Sequence, residues 1–324
     1  MPPLTNDTTT LRPVTAPEGP ALRFDFPALE VGVAEYAEGP TGCTVFHFPA
    51  GVFAAADMRG GSYATIYTDQ LAAGDGWLHA ICLAGGSIYG LEAAAGVSAE
   101  LFARRGYSTR WTDIAHVAGA IIFDYGPRGN AVYPDKALGR AALRAARPGC
   151  FPLGRHGAGC SATVGKDIEF GQRESAGQGG AFRQIGQIKL AVFTVVNAVG
   201  AIVDRQGRVV RGHLDAATGA RLSSINALEQ HLAQGAPAAS APGNTTLTVV
   251  ITNCHLGPRP LRQMARQVHS SMARAIQPFH ALTDGDVLYA VTTNEVDSPH
   301  LNETVLGVLA SELAWDAVLN CFQP

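Results

Sequence analysis

Residues 236–253 read APAASAPGNTTLTVVITN, and the reading of this stretch decides how the chain is understood. Its first half is Ala, Pro, Ser and Gly without an apolar period. Its second half alternates Leu247, Val249 and Ile251 against Thr246, Thr248 and Val250, the pattern of a strand. A flexible segment thus delivers Thr245 onto the first position of a strong strand. Two readings stand side by side. One is an interdomain linker running into an edge strand. The other is an N-terminal nucleophile, released when the chain cuts itself between Asn244 and Thr245.

Working outward, 324 residues with 47% apolar content can bury a large core, in one domain or two. Charge is sparse at 16% and the net charge is -3, so nucleic acid is not an expected partner. Cys43, Cys82, Cys150, Cys160, Cys254 and Cys321 form no CxxC pair, and no His pair has a zinc spacing. Neither a metal nor a disulfide framework is expected, and scattered thiols fit a reducing cytoplasm. The opening MPPLTNDTTTLRP lacks the basic and apolar regions of a signal peptide. The apolar run Ile188–Val203 is interrupted by Lys189 and Asn197 and is too short to span a bilayer.

Residues 1–22 are rich in Thr and Pro and are expected to form a mobile arm, with a single domain over 23–324. Strands are expected at Val31–Tyr36, at Thr44–Phe48, in GSYATIYT and over Ala118–Tyr125. GGSIYGLEAAAGVSAELFARRG carries a helix opened by glycines, a place that suits an anion or simply tight helix–sheet packing. YPDKALGRAALRAA gives a second helix. Ile188–Val203 is too long for one strand and is expected to break at Asn197 and Gly200. A helix follows at Ser223–Gln234. After residue 245 the order is strand, helix over Pro260–Ile276, strand with Val287, Tyr289 and Val291 alternating, and a helix from Glu303. The whole is α/β.

Short motifs for other chemistries fail. The position two past Ser87 is Tyr89, so no nucleophile elbow forms. In GRHGAGCSATVGKDIEFGQRESAGQGGAF the Walker spacing is wrong, and no strand precedes the Gly157/Gly159/Ala162 dinucleotide match. A Gly-rich loop with one lysine, Lys166, remains.

Self-cleavage would make the preceding nitrogen of Thr245 a free α-amine. With a pKa near 8, about a tenth of it is unprotonated at pH 7, so the hydroxyl gains a local base without a histidine. Such a site also needs an anionic group and an oxyanion donor. Asp284 and Asp286, two apart at a strand start, could converge on one side, or could be an ordinary Asp-Gly turn. Asn197 could supply a neutral donor and Lys166 a positive charge.

GNTTLTVVITN, ARQVHSSMARAIQPFHALTDGDVLYAVTT, AVYPDKALGRAALRAA and LRFDFPALEVGVAEYAEGPTGCTV occur in the order that resembles the nylon-oligomer hydrolases (6-aminohexanoate-oligomer endohydrolases). These sit within the self-processing aminopeptidases with an N-terminal Ser or Thr. The resemblance runs from about Leu22 to Asp316. It implies an αββα sandwich and autocleavage into associated fragments 1–244 and 245–324. Thr245 would be the nucleophile, with Asp284, Asp286, Lys166 and Asn197 around it, and no cofactor. It also implies an oligoamide substrate and an oligomer of cleaved pairs, commonly a tetramer. One departure is Phe123, where the nylon hydrolases carry an active-site Tyr; Tyr125, of the same strand parity, is the candidate to compensate. The alternatives are an aminopeptidase for β- or D-residue peptides and an uncleaved, non-catalytic ligand-binding homologue.

Overall fold

The computed structural model describes residues 3–73, 76–166, 172–235, 243–297 and 301–322. Its principal elements are β1 (Glu30–Tyr36), β2 (Thr41–Met58), β3 (Gly76–Ala84), α1 (Leu91–Arg104), β4 (Val117–Ile121) and α2 (Lys136–Ala145). They continue as β5 (Gln178–Ile185), β6 (Ile188–Asn197), β7 (Thr245–Cys254), α3 (Pro258–Ser271), β8 (Val287–Val296) and α4 (Glu303–Leu319).

Strand β2 organises the layers. Its first half pairs with β1 and with the end of β3, and its second half pairs with β8 and the start of β3. The register shifts between His47 and Val52, where the long strand passes from one sheet to the other. One sheet runs β5-β6-β7-β8-β2, and the other is built on β1-β2-β3-β4. Phe46, Phe48, Ile81 and Leu83 of the second sheet meet Phe193, Leu247, Val249, Ile251 and Tyr289 of the first in one core between the sheets. On the outer face of the first sheet lie α3 and α4, with Leu261, Val268, Ala310 and Leu313 buried. On the outer face of the second lie α1 and α2, with Val97, Leu101, Leu138 and Ala142 buried. The result is the αββα sandwich.

The alternation in β7 explains its place. Leu247, Val249 and Ile251 point into the inter-sheet core, and each buried aliphatic side chain contributes about 1.5–3 kcal/mol. Thr248 points the other way, where its hydroxyl meets that of Thr194 at 3.0 Å. β7 pairs with β6 on one side and β8 on the other, so it is an interior strand and not the edge strand of the linker reading.

Several expectations hold. Ile188–Val203 does break, into β6 and a short strand Ala201–Val203, and helices cover Leu91–Arg104, Lys136–Ala145 and Ser224–Ala233. The Glu303–Phe322 helical stretch is long and apolar enough to cross a membrane by composition, but Leu306, Ala310, Leu313, Ala314 and Ala317 are buried against the sheet as core.

Others are corrected. The segment up to residue 22, expected to be a mobile arm, is docked over its described residues. Pro13–Val14 pairs with β1, and Ala21–Arg23 pairs with Cys150–Pro152. Asn6 donates to the Tyr133 carbonyl at 3.0 Å and to Asp135 at 3.2 Å, and accepts from the Tyr133 amide at 3.0 Å. Composition alone cannot reveal such polar latches. Within GSYATIYT only Thr65–Ile66 is strand. The strand over Ala118–Tyr125 stops at Ile121, because Asp124 turns inward to a buried ion pair with Arg128 at 2.7 Å. Asp124 also accepts from the amide of Gly86 at 2.8 Å, which occupies the glycine-rich opening before α1; tight packing is the reading that stands there.

Candidate active site

Strand register brings the expected residues together. The antiparallel pairing of β6 with β7 sets Asn197 opposite Thr245. The parallel pairing of β7 with β8 sets Leu247 beside Val287, so residues 284–286 necessarily lie beside 244–246. An isolated bridge between Asn244 and Asp284 extends that ladder. Lys166, Asn197, Asn244, Thr245, Asp284 and Asp286 are all buried.

At the junction, the Thr245 hydroxyl Oγ1 donates to the carbonyl oxygen of Asn244, the residue before it. The same carbonyl accepts the amide of Gly285 at 2.7 Å. Gly285 has to be glycine here: a Cβ would lie 2.7 Å from Thr245 Oγ1 and 2.9 Å from the Ser62 carbonyl. Gly243 is likewise constrained. Its φ is +78°, and a Cβ would lie 2.5 Å from the Phe123 ring.

Two carboxylates hold this turn. Asp286 accepts the amide of Thr246 at 2.7 Å through Oδ1 and meets His280 Nδ1 at 2.9 Å through Oδ2. Asp284 accepts the amides of Ala281 at 2.8 Å and Val199 at 3.3 Å. Burial, and then the charge of Asp286 beside it, push the Asp284 carboxyl up to about 7, against the pull of those amides and of Lys166. The Asp-Gly-Asp segment therefore does more than turn the chain.

Lys166 is buried rather than solvated, and its Nζ donates to the Asn197 carbonyl at 3.0 Å and to Asn197 Oδ1 at 3.1 Å. Burial brings its ammonium down to about 7, partly opposed by Asp284. Asn197 is saturated: Oδ1 also accepts from the Thr163 amide, and Nδ2 donates to the carbonyls of Phe123 at 2.9 Å and Gly243 at 3.3 Å. An amide inside an apolar run finds its partners in this way.

Phe123 packs against Gly243, beside the junction. The strand parity invoked for Tyr125 does not apply, because both residues lie beyond the strand. Tyr125 meets Phe123 edge-on at 5.7 Å, lies under the Arg128 guanidinium at 4.3 Å, and lines a cavity of about 470 Å³ with Tyr89, Tyr133, Asn130 and Thr5. Most of the Ala-Pro segment before Gly243, residues 236–242, lies outside the described residues, as do residues 167–171 after Lys166.

Sequence reasoning missed Gly285, Thr163, Thr246 and His280. Only the histidine carried a signal, as a side chain six residues before Asp286. Among the described residues, no three His, Cys, Asp or Glu side chains gather as a metal cage. The arrangement can polarise the Asn244 carbonyl, present a hydroxyl to it, and hold protons near neutrality on Asp284 and Lys166.

The sandwich is that of an N-terminal-nucleophile-type hydrolase. It resembles the Burkholderia sp. beta-aminopeptidase with a TM-score of 0.64, at 16% identity over 94% of this chain and 88% of that one. It also resembles the L-aminopeptidase D-Ala-esterase/amidase of Ochrobactrum anthropi, described as a variant of the Ntn hydrolase fold. That match has a TM-score of 0.62, at 16% identity over 91% of this chain and 83% of that one. Residues 24–323 match peptidase family S58, and the chain belongs to that family. It is 48% identical to the 6-aminohexanoate-oligomer endohydrolase of Agromyces sp. (strain KY5R), over 97% of this chain and 89% of that one. The protein is accordingly a hydrolase acting on amide bonds.

Proposed function

We propose that the chain cuts itself between Asn244 and Thr245 and then hydrolyses linear oligoamides of the 6-aminohexanoate type with Thr245 as nucleophile. The observation that carries this reading is the shared carbonyl: Asn244 C=O faces the Thr245 hydroxyl while the Gly285 amide polarises it. Oγ1 adds to the Asn244 carbonyl carbon, the C–N bond breaks, and the nitrogen takes a proton. Water opens the resulting ester, freeing the Asn244 carboxylate and the Thr245 α-amine. In turnover the amine takes the hydroxyl proton as Oγ1 attacks a substrate carbonyl and returns it to the leaving amine; water then deacylates the ester. Asp286 positions the strand through Thr246, and Asp284 and Lys166 set the charge around the amine. Asn197 ties Lys166 to the Phe123 wall.

The oligoamide substrate is inferred from the 48% identity to the Agromyces enzyme. A second reading, an aminopeptidase, is favoured by the fold shared with the Burkholderia beta-aminopeptidase. An end-blocked 6-aminohexanoate trimer assayed against a free-amine dipeptide separates the two. Turnover of the blocked trimer is the expected result, and exclusive turnover of free-amine substrates would favour the aminopeptidase.

We further propose a cytoplasmic enzyme that assembles as a tetramer of cleaved pairs. Phe102 and Tyr107 meet edge-on at 5.1 Å on the surface and Trp111 is 81% exposed, aromatic area that assembly would cover. Light scattering of the purified protein tests this: a monomer mass would refute it.

A further inference from the structure

Behind Asp286 runs a row of titratable side chains, His269 buried and the others half-buried, that the proposed reaction does not use. His280 brings two donors to one oxygen of Asp286, its Nδ1 at 2.9 Å and its own backbone amide at 3.2 Å. It does so from a left-handed backbone conformation, φ +62°, which only a tightly held non-glycine residue keeps. The His269 ring of α3 meets the His280 ring perpendicular to it, with centroids 4.4 Å apart, and Phe279 covers another side at 3.9 Å. His269 Nδ1 in turn lies 2.9 Å from Asp57 Oδ2 at the end of β2. Arg59 closes the row: its side chain donates to Asp57 at 2.6 Å, and its amide donates to the Asp286 carbonyl at 3.0 Å.

The donor arithmetic orients the two rings. Each Nδ1 faces a carboxylate oxygen and therefore carries the proton. The Nε2 atoms of both His269 and His280 are buried without a hydrogen-bond partner. Burial lowers the affinity of His269 for a second proton. His269 is thereby held as a neutral Nδ1–H donor to Asp57.

We propose that His280 is a positioning residue for Asp286, donating through Nδ1–H and its backbone amide, and that the His269 ring, anchored on Asp57, holds the His280 ring in place. Asp286 is then held between His280 on one oxygen and the Thr246 amide on the other, so the row fixes the residue that follows the nucleophile. This inference rests on the reading of Thr245 as nucleophile.

The test compares His280→Ala with His280→Asn, whose side-chain amide can restore one N–H near the Nδ1 position. Each is measured for thermal melting, fragment pattern, and turnover of a 6-aminohexanoate oligomer across pH. With His280→Ala the Asp284–Asp286 pair loses a donor to its charge, so the acidic limb of kcat should move up by about one pH unit. The value of kcat should fall by about tenfold with little change in KM, and His280→Asn should recover most of both. A folded alanine variant with its limb in place would overturn the proposal, as would a folded asparagine variant shifted as far as alanine. Should the alanine variant not fold, the asparagine variant decides alone: a limb near that of the parent supports the proposal, and a moved limb refutes it. Failure of the underlying reading shows separately, as an uncut parent protein.

Discussion

The amide of Gly285 lies 2.7 Å from the carbonyl oxygen of Asn244, the same oxygen to which the Thr245 hydroxyl donates. Electrophile, polarising donor and hydroxyl thus share one carbonyl, held by ladder geometry rather than by a mobile loop. A Gly285→Ala chain would place a methyl against Thr245 Oγ1 and the Ser62 carbonyl. Processing should slow by at least about tenfold, since a displaced oxyanion donor commonly costs more than that. Densitometry of the two fragments over time reads the rate.

Phe123 covers Gly243 and gives its carbonyl to Asn197 Nδ2. A phenolic hydroxyl at this ring would add a donor beside the junction without changing the packing of Gly243. Phe123→Tyr should keep processing intact and raise oligoamide turnover, by about tenfold if the hydroxyl reaches the developing oxyanion. Steady-state kinetics on the purified variants measures it.

The two shifted groups give stability a pH signature, best read in an uncut Thr245→Ala background. The folded chain keeps the Asp284 proton up to about 7, whereas its ordinary value is 3.8. Between those values the folded state binds more protons, so this contribution is present at pH 4 and is lost as pH rises to 7, at no more than about 1.4 kcal/mol per unit. Lys166 acts the other way. It gives up its proton near 7 when folded and at 10.5 ordinarily, so stability rises with pH across that window. Asp284→Asn should flatten the first trend and Lys166→Met the second, as followed by denaturant melts from pH 4 to 10.

The docked N-terminal segment is a structural latch. Asn6→Ala removes its side-chain bonds to Tyr133 and Asp135 and should cost about 1–2 kcal/mol, or a few degrees of melting temperature. Fragment formation should be unaffected. Differential scanning calorimetry beside a gel checks both.

Much of this was legible in the sequence. The alternation of Leu247, Val249 and Ile251 located β7, and the break at Asn197 located the end of β6, because side-chain period follows burial. The converging set Thr245, Asp284, Asp286, Lys166 and Asn197 came from the ordered resemblance, not from any single motif. Lys166 shows why: a lone lysine in a glycine-rich loop carries no sign that it is buried against Asn197. Pairing partners 34 residues apart, such as Thr163 and Asn197, are equally silent. The docked first residues were misread because their hold is a few polar contacts on Tyr133 and Asp135, which leave no periodic trace. The end of β4 at Ile121 was missed because Asp124 answers to Arg128 and Gly86, partners that a strand pattern does not show.

The central claim is that the bond before Thr245 is cut by Thr245 itself. Intact mass with N-terminal sequencing of the purified protein addresses it most directly. The account predicts two fragments, 1–244 and 245–324, the second beginning Thr-Thr-Leu-Thr, and a single uncut chain for Thr245→Ala. A wild-type protein that hydrolyses oligoamides at full rate while remaining one chain would contradict it.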